Sequence, residues 1–312
     1  MKALVTGGAG FIGSHVVDRL IQAGHQVLVV DNLSTGSRQN LHPECTFSQG
    51  CITSEKTREI VTQFGPEVVF HLAAQIDVRV SVETPSLDAS INVVGTVNIV
   101  EAARCGGALE KVVFASTGGA IYGDTDQYPT PETMPALPLS AYGTAKLCAE
   151  QYLAWFQRLH HIPYSAMRFG NVYGPRQNPH GEAGVIAIFA GRLKDGQPCT
   201  IFGDGSQSRD YVYVGDVANA FVAAGEQRAV TGIFNIGTSV ETDVNTIYAK
   251  LAALSSTTAP PVYADARPGE CARSLLDNRK AKEAFSWEPT TDLDAGLHAV
   301  WEHLHQTDPH MR

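Results

Sequence analysis

Apolar residues in the first half of the chain follow two alternating patterns. Short, nearly continuous apolar runs such as ALVTG and QVLVVD alternate with longer stretches of helical spacing such as SHVVDRLIQAG. The series continues through EVVFHLAA, KVVFAST and YSAMRFG, with helical segments between them. Continuous apolar strands separated by helices are typical of a parallel sheet covered on both faces. The pattern therefore predicts an α/β protein built on a doubly wound parallel sheet.

The amino-acid composition of the chain changes near residue 168. Gly/Pro-rich loops such as GNVYGPRQNPHGEAG and FGDGSQSRD follow, with shorter elements between them. We expect residues 1–167 to form a nucleotide-binding domain and residues 168–312 to form a smaller substrate-binding lobe. The apolar runs YVYV and GIFNIG, within about 212–236, are expected to return to the main sheet.

Composition and charge narrow the range of partners. Of 312 residues, 44% are hydrophobic and 18% charged, which suits one large α/β unit. The net charge is −9 and no block of Lys or Arg occurs, so we expect no nucleic-acid partner. The six cysteines form no C-x-x-C pair and the histidines lack accompanying ligands, which argues for reduced thiols and against a metal. An apolar strand begins at residue 2, and no 18-residue apolar stretch follows, so we expect a cytoplasmic protein without a membrane partner.

A glycine-rich turn follows the first predicted strand. VTGGAGFIGSHVV places Gly7, Gly10 and Gly13 between that strand and a helix, where glycines let the backbone approach a pyrophosphate at the helix N-terminus. By itself such a turn is a weak signal. The next strand, however, ends in Asp31, where an acid can bind the ribose hydroxyls of an adenosine. Because no arginine follows Asp31 directly, the pattern predicts a Rossmann domain that binds NAD rather than NADP.

The stretches FASTGGAIYG and SAYGTAK carry the candidate chemistry. The first ends a strand in two hydroxyls, Ser116 and Thr117, and the second places Tyr142 and Lys146 four residues apart on one helical face. A phenol titrates near pH 10 in water, and a nearby ammonium favours the phenolate, so Lys146 can help Tyr142 act as a base. A surface Tyr and a solvated Lys would show the same spacing by chance. The combination with the glycine turn and Asp31 decides for a catalytic pair.

In these residues the chain resembles the extended short-chain dehydrogenase/reductases and, within them, the UDP-glucose (UDP-galactose) 4-epimerases. The resemblance covers essentially the whole length and is carried by TGGAGFIGSH, DNLSTG, HLAAQ, INVVGT, ASTGGAIYG, YGTAK, RFGNVYGPRQ, RDYVYVGDV, FNIG and ARPGE. It implies an isomerase that uses a tightly held NAD. The cofactor residues that it implies, besides those named above, are Phe11, Ile12, Asn32, Ser34, Thr35, Gly36, Cys51, Ile52, Leu72, Ala73, Ala74, Gln75, Asn92 and Phe169. One departure is Cys51, since the family commonly has an acidic residue near the adenine there.

The resemblance also implies a mechanism. Tyr142 removes the proton of the sugar 4-hydroxyl, Thr117 with Ser116 hydrogen-bonds the same oxygen and relays protons, and Lys146 binds the nicotinamide ribose. A 4-keto sugar forms, turns about its diphosphate tether and takes the hydride back on the other face. The implied UDP-sugar residues of the second lobe are Asn171, Val185, Ile186, Phe202, Arg209, Tyr211, Arg267, Glu270 and Ser274.

The residues that follow Thr117 bear on the type of reaction. Related 4,6-dehydratases carry an Asp-Glu pair directly after this position, since elimination of water needs an acid and a base. This chain has Gly118 and Gly119 there, which favours return of the hydride and hence epimerisation.

The substrate and the assembly are less closely defined by the sequence. Ser274 falls where the family places a gate beside the sugar 2-substituent, and its small side chain predicts turnover of UDP-GlcNAc and UDP-GalNAc as well as UDP-glucose and UDP-galactose. UDP-glucuronate stays an alternative, with Arg79 as a candidate cation, as do another nucleotide-sugar oxidoreductase and a non-enzymatic NAD-bound sensor. The helices INVVGTVNIVEAA and KLCAEQYLAWF are apolar on more than one face, which predicts a homodimer.

Overall fold

Strands and helices alternate along the chain in a computed structural model, which describes residues 1–179, 184–266 and 271–306. The strands are β1 (Lys2–Thr6), β2 (Gln26–Asp31), β3 (Thr46–Gln49), β4 (Val68–His71), β5 (Lys111–Thr117), β6 (Tyr164–Phe169), β7 (Asn171–Tyr173), β8 (Thr200–Phe202), β9 (Ser208–Tyr213), β10 (Gly232–Ile236), β11 (Glu241–Asp243), β12 (Val262–Ala264) and β13 (Arg273–Ser274). The helices are α1 (Phe11–Gln22), α2 (Glu55–Phe64), α3 (Val78–Glu83), α4 (Pro85–Ala89), α5 (Gly95–Cys105), α6 (Gly118–Ile121), α7 (Ala141–His160), α8 (Val185–Lys194), α9 (Val214–Glu226), α10 (Val244–Ser255), α11 (Arg279–Phe285) and α12 (Leu293–Gln306). A 3₁₀ turn covers Arg38–Asn40, and a π-helical turn at Ser90–Val94 joins α4 to α5.

Seven parallel strands form the main sheet, in the order β10-β6-β5-β4-β1-β2-β3. From β1 the chain builds outward through β2 and β3, and it then crosses back to build the other half from β4. The order therefore reverses between β1 and β4. In open α/β sheets, ligands bind beyond the carboxyl ends of the strands at such a reversal. The predicted doubly wound parallel sheet is confirmed.

Two layers of helices cover the main sheet. One core packs α1, α9 and α11 against one face and includes Val5 and Val29 of the central strands. The other core packs α2, α5 and α7 against the opposite face and includes Leu4 and Leu28. Because neighbouring residues of a strand point to opposite faces, strands buried on both sides must be apolar at every position. This double burial is the physical origin of the continuous apolar runs in the sequence.

A smaller unit of short strands lies beyond β6. Strand β9 pairs with β7, β11 and β13, and β8 pairs with β12. Helices α8, α10 and α12 pack together around a third core that includes Phe189, Ile247 and Leu297. The strand that contains most of YVYV thus belongs to the smaller sheet, and the expectation that it returns to the main sheet is wrong.

The reason for this difference lies in the partners of β9. The sequence of a short apolar run does not indicate which sheet it will join. Here Gly170 alone separates β6 of the main sheet from β7, and β7 pairs with β9. The chain therefore leaves the main sheet at Gly170. The run GIFNIG does return: β10 pairs with β6 at the edge of the main sheet. Helix α9, which follows β9, packs against α1 and β5 of the main unit. In the described ranges, no helix is long and apolar enough to cross a membrane.

Candidate active site

The glycine turn after β1 brings the chain into close contact with itself. Gly7 has a φ of +71°, and a Cβ there would lie 2.7 Å from the backbone nitrogen of Ala73. A Cβ on Gly13 would lie 2.1 Å from the carbonyl oxygen of Gly7. Both positions therefore need glycine. Helix α1 begins after Gly10 without a side-chain cap and without an acidic residue in its first turn, so its N-terminus, at Phe11 and Ile12, suits an anion.

Asp31 braces this turn from the end of β2. Its Oδ2 accepts a hydrogen bond of 3.0 Å from the backbone N–H of Ala9, and its Oδ1 accepts one of 2.8 Å from Leu33. Gly36 packs against the same turn, since a Cβ there would lie 2.9 Å from the carbonyl carbon of Ala9. Three polar residues of this segment are exposed beside the turn, namely Asn32, Ser34 and Thr35. Two of the predicted ribose residues, Asp31 and Gly36, thus contact the glycine turn at Ala9.

Cys51 and Ile52 follow the neighbouring strand, β3. Asp31 pairs with Gln49 of β3, so Cys51 lies two residues beyond the pairing partner of Asp31. The Cys51 Sγ lies 3.1 Å from the Thr53 Oγ1, and Ile52 is buried. No acidic side chain occupies this position, as the sequence indicated.

A buried chain of hydroxyl and imidazole groups holds the segment after β4. The Oγ1 of Thr6 accepts hydrogen bonds of 3.2 Å from the backbone N–H groups of Leu72 and Ala73. Thr6 therefore donates its own proton to the His71 Nδ1, at 2.7 Å. The Nε2 of His71 must then carry the ring proton, which it donates to the Oγ1 of Thr96 at 2.9 Å. The hydrogen bonds define one neutral tautomer of His71.

Asn92 completes this chain on the other side of the segment. Thr96 donates to the backbone carbonyl of Asn92 at 2.7 Å. The Asn92 side chain accepts from the backbone N–H of Gln75 and donates to the backbone carbonyl of the same residue, both at 2.9 Å. Burial, reinforced by the positive charge of Lys146, lowers the pKa of His71 to about 3. The predicted cofactor residues 72–75, including Ala74, are thus fixed to β1 and to the turn before α5 by uncharged groups.

Thr117 ends β5 and begins α6. Its Oγ1 accepts a hydrogen bond of 3.2 Å from the backbone N–H of Ala120, which leaves the hydroxyl proton available to a ligand. Ser116 is buried, and its hydroxyl donates to the Glu150 Oε1 of α7 at 2.6 Å. Because neighbouring residues of a strand point in opposite directions, the two hydroxyls do not reach one oxygen. This placement contradicts the expectation that Ser116 shares the sugar oxygen with Thr117 and relays its proton.

Tyr142 and Lys146 occupy the first turns of α7. The Ser140 side chain caps this helix, and the Ser81 hydroxyl of α3 accepts from the Tyr142 backbone N–H at 3.1 Å. The buried Lys146 Nζ donates to the carbonyl oxygen of Ala115 at 2.8 Å, two residues before Thr117. The same Nζ lies 5.8 Å from the centre of the Tyr142 ring. The Lys146 side chain therefore connects the start of α7, which carries Tyr142, to the strand that ends in Thr117.

Burial dominates the ionisation of this pair. It lowers the pKa of Lys146 to about 8, although the charges of Asp88 and Glu150 oppose the change. It raises the pKa of Tyr142 well above its ordinary value, and the charge of Asp88 adds to that rise. The expected lowering of the Tyr142 pKa by Lys146 is therefore outweighed by desolvation in the protein alone.

A cavity of about 350 Å³ opens beside Tyr142, where the main sheet meets the smaller one. Asn171 and Tyr211 pair in register on β7 and β9, so both predicted residues line it. The other lining residues are Gly170, Val172, Tyr173, Gln177, Gly184 and Ile186.

Other predicted substrate residues lie on elements of the smaller unit. Val185 begins α8 next to the lining residue Ile186, and Phe202 ends β8. Arg209 on β9 pairs in register with Ser274 on β13, and its guanidinium donates to the Ser208 carbonyl at 2.8 Å. On the cofactor side, Phe169 is buried at the end of β6. The predicted residues Arg267 and Glu270 lie outside the described residues.

Comparison with known proteins places the chain in a family. The family model of the NAD dependent epimerase/dehydratase family matches residues 3–237. The chain belongs to this family. The UDP-glucose 4-epimerase of Mycolicibacterium smegmatis is 45% identical over 95% of this chain and 96% of its own.

Solved structures of family members superpose on almost the whole chain. A UDP-glucose 4-epimerase of Thermotoga maritima, solved with UDP-glucose, is 46% identical with a TM-score of 0.94, and covers 98% of this chain and 99% of its own. The UDP-glucose 4-epimerase of Thermus thermophilus, solved as a complex with NAD, is 41% identical with a TM-score of 0.92, over 99% of this chain and 100% of its own. The family resemblance read from the motifs is confirmed.

Several residues at the site of this epimerase-family chain were missed by sequence reasoning. Gln177 lines the cavity, and its Oε1 is buried without a hydrogen-bond partner in the described part of the chain. Glu150 forms a buried ion pair with Arg168, with 2.6 Å between the Glu150 Oε2 and a guanidinium nitrogen. Glu150 lies one helical turn after Lys146, a spacing that could have indicated it. Arg168 and Gln177 begin and end the motif RFGNVYGPRQ, to which the sequence analysis assigned no role for these two side chains.

Proposed function

We propose that the chain is an NAD-dependent nucleotide-sugar 4-epimerase, an isomerase that interconverts UDP-glucose and UDP-galactose through a transient 4-keto sugar. The observation that carries the proposal is the position of Tyr142 on the cavity, with the Lys146 Nζ 5.8 Å from its ring and bonded to the strand that ends in Thr117. The names of the relatives at 45% and 46% identity support the same reaction.

The residues around the glycine turn fit an NAD. Gly7 and Gly13 let the turn pack closely against Ala73 and against itself, and the first turn of α1 has neither an acidic residue nor a side-chain cap. These groups would hold the pyrophosphate, and Asp31 with the exposed residues after it would hold the adenosine ribose. The segment 72–75 would lie along the cofactor towards Lys146. When bound, NAD accepts a hydride from the sugar C4 and adds the positive charge of its nicotinamide ring to the site.

Three side chains then carry out or support the proton transfer. Tyr142 removes the proton of the sugar 4-hydroxyl and returns it after the sugar has turned. Lys146 supplies a positive charge near the phenol, which favours the phenolate. Thr117 keeps a hydroxyl proton to donate to the same sugar oxygen. Because burial raises the pKa of Tyr142 in the protein alone, the added positive charge is needed to lower the pKa of the phenol towards neutral pH.

The cavity residues would hold the UDP-sugar. Asn171 can donate to the diphosphate, Tyr211 and Ile186 would border the uridine, and the Gln177 oxygen offers an acceptor to a sugar hydroxyl. Arg209 would bind the diphosphate with its guanidinium. Val185, Phe202, Arg267 and Glu270 remain part of this proposal. We also propose that residues 1–167 form the cofactor domain and residues 168–312 the sugar-binding lobe, with β10 contributed back to the main sheet.

The structure separates the roles of the two glycines after Thr117. A Cβ on Gly118 would lie 2.6 Å from the Leu276 side chain and 3.0 Å from the Phe169 carbonyl oxygen, so packing requires glycine there. A Cβ on Gly119 would meet nothing within 4 Å among the described residues. An acid would fit at 119, and its absence is therefore the observation that favours an epimerase over a dehydratase.

The same contact supports a role for Ser274 as the gate. Leu276, which packs on Gly118 beside Thr117, lies two residues after Ser274. The segment that carries Ser274 therefore passes close to the catalytic strand. We propose that this small residue leaves room for an acetamido group, so that UDP-GlcNAc and UDP-GalNAc are also substrates.

The assembly proposed for this enzyme is a homodimer. Four large side chains on one side of the molecule, from the π-helical turn before α5 and from α7, are exposed: Val94, Tyr152, Trp155 and Leu159. A second copy would cover them with the same surface. Substitution Trp155→Glu is expected to give a monomer in sedimentation equilibrium, and an unchanged mass would contradict this assignment.

Product analysis tests the proposed reaction. The purified protein is incubated separately with UDP-galactose, UDP-GalNAc and UDP-galacturonate, and the products are identified by NMR. We expect the 4-epimers of the first two without added cofactor, and no change with a Tyr142→Phe variant that retains its NAD. A product lacking water, or net oxidation of the sugar, would overturn the assignment.

A further inference from the structure

Asp88 is a buried acidic residue that neither the sequence motifs nor the proposed mechanism uses. It lies on α4, packed against α7, and its relative exposure is 0%. Its Oδ1 accepts hydrogen bonds of 2.9 Å from the side-chain amides of Gln75 and Asn92. Its Oδ2 is buried and accepts no hydrogen bond from the described residues.

A buried carboxylate oxygen without a hydrogen-bond partner lowers the stability of the folded protein. Removing a charge from water without a direct partner is unfavourable by several kcal/mol, and replacement by a neutral residue of similar shape is often neutral or stabilising. The two amides need only one acceptor oxygen, which the side chain of an asparagine at this position would also supply. The hydrogen bonds therefore account for Oδ1 but not for the charge.

The charge of Asp88 acts on the catalytic pair across the contact between α4 and α7. It raises the pKa of both Tyr142 and Lys146, against a background in which burial lowers the pKa of Lys146. Burial in turn raises the pKa of Asp88, while Gln75, Lys146 and Asn92 oppose the rise. Asp88 is thus coupled to both members of the pair that exchanges a proton with the substrate.

The other charged and titratable groups around Lys146 do not supply a free negative charge. On its own helix, Glu150 is bound by the guanidinium of Arg168 from β6 and by the Ser116 hydroxyl. From β4, His71 is kept neutral by its burial and by the positive charge of Lys146, which lower its pKa to about 3. Among the described residues around Lys146, Asp88 is therefore a carboxylate that no cation binds directly.

We propose that Asp88 is the fixed counter-charge of Lys146, a positioning residue that keeps the ammonium protonated in a dry site and sets the pH range of catalysis. Without it, burial would favour a neutral amine, and a neutral amine cannot stabilise a phenolate. The same charge makes Tyr142 a weaker acid. Asp88 therefore moves to higher pH the range in which Tyr142 and Lys146 have the protonation states that catalysis needs. This inference rests on the proposed function for its kinetic readout.

The first test compares the pH dependence of kcat in the wild type, in Asp88→Asn and in Glu83→Gln. The last variant neutralises an exposed carboxylate on α3, which also packs against α7, and controls for general electrostatics. Removal of a negative charge lowers the pKa of an acid and of an ammonium alike. We expect both limbs of the Asp88→Asn profile to move to lower pH by about one unit, with the Glu83→Gln profile unchanged. A lower kcat with unmoved limbs would assign Asp88 a purely structural role and overturn the proposal.

The second test does not depend on enzymatic activity. Urea unfolding is measured at pH 7 for the wild type, Asp88→Asn, Lys146→Met and the double variant. We expect the effect of Lys146→Met on the unfolding equilibrium constant to be about tenfold smaller in the Asp88→Asn background, which corresponds to a one-unit pKa shift. Additive effects would overturn the proposal. Asp88→Ser replaces Asp88→Asn in both tests if the latter does not fold. If the wild type turns over no UDP-sugar, the proposed function fails, while this cycle still decides the coupling.

Discussion

The buried pair of Glu150 and Arg168 offers a quantitative test of how the site is supported. The structure joins them by two hydrogen bonds, at 3.0 and 2.6 Å, and exposes only 1% of the Glu150 side chain and 3% of the Arg168 side chain. Burial acts to lower the pKa of Arg168, but the hydrogen bonds and charge of Glu150 outweigh it and raise that pKa overall. Glu150→Gln would leave a buried guanidinium without its counter-charge.

The expected cost follows from this burial. Breaking a buried ion pair by removing one partner costs about 3–5 kcal/mol, since the other charge stays desolvated. Lys250 and Asp294 form a matched control pair at the same 2.6 Å, with 35% and 65% of their side chains exposed. Because solvent screens an exposed pair, Lys250→Gln should cost at most about 1 kcal/mol. The shortest distance between nitrogen and oxygen is the same in both pairs, so burial is the main difference between them.

Urea unfolding monitored by circular dichroism measures both variants at pH 7. We expect Glu150→Gln to lower the free energy of unfolding by about 3 kcal/mol or more. Its kcat should also fall, because a glutamine has one acceptor oxygen where Glu150 uses two to bind Ser116 and Arg168, next to the catalytic strand end. Equal costs for the two variants, or a cost below about 1 kcal/mol for Glu150→Gln, would refute the reasoning.

Three further predictions follow from individual contacts. The folded protein keeps His71 neutral down to about pH 3, whereas an unfolded His titrates near 6.5, so its contribution to stability is complete above pH 6.5 and is lost as the pH falls. Urea unfolding between pH 7 and 4 should show a slope about 1.4 kcal/mol per pH unit steeper for the wild type than for His71→Asn, and parallel curves would contradict a neutral His71 in the folded protein. Gly118→Ala should reduce kcat and the melting temperature because of the Leu276 contact, whereas Gly119→Ala should change neither, and equal effects would show that both positions are packed. Ser274→Tyr should abolish turnover of UDP-GalNAc and spare that of UDP-galactose in the NMR assay; loss of both would refute a gating role.

The two glycines after Thr117 show how far sequence reasoning reaches in this site. The motif predicted a strand end with catalytic hydroxyls and an absent acid, and it treated both glycines alike. Only the tertiary contact with Leu276, over 150 residues away in the chain, shows that Gly118 is a packing requirement. The chemical argument for an epimerase is therefore carried by Gly119.

Ser116 and Asp88 show what sequence reasoning did not predict. Adjacent hydroxyls suggested a shared role, but the alternation of the strand and the position of α7 turn Ser116 towards Glu150. Asp88 belongs to none of the motifs. Its importance comes from its burial against α7, and the neighbouring residues in the sequence do not indicate that a polar residue is buried.

The sequence by itself determined the doubly wound sheet, the glycine turn and the candidate trio of Thr117, Tyr142 and Lys146, because these depend on local periodicity and on short spacings within one strand, turn or helix. The tertiary structure decided which sheet contains β9, which strand-end hydroxyl is bound to Glu150, and which buried charges surround Lys146. Those properties depend on contacts between elements far apart in the chain, and on the loss of water when they pack.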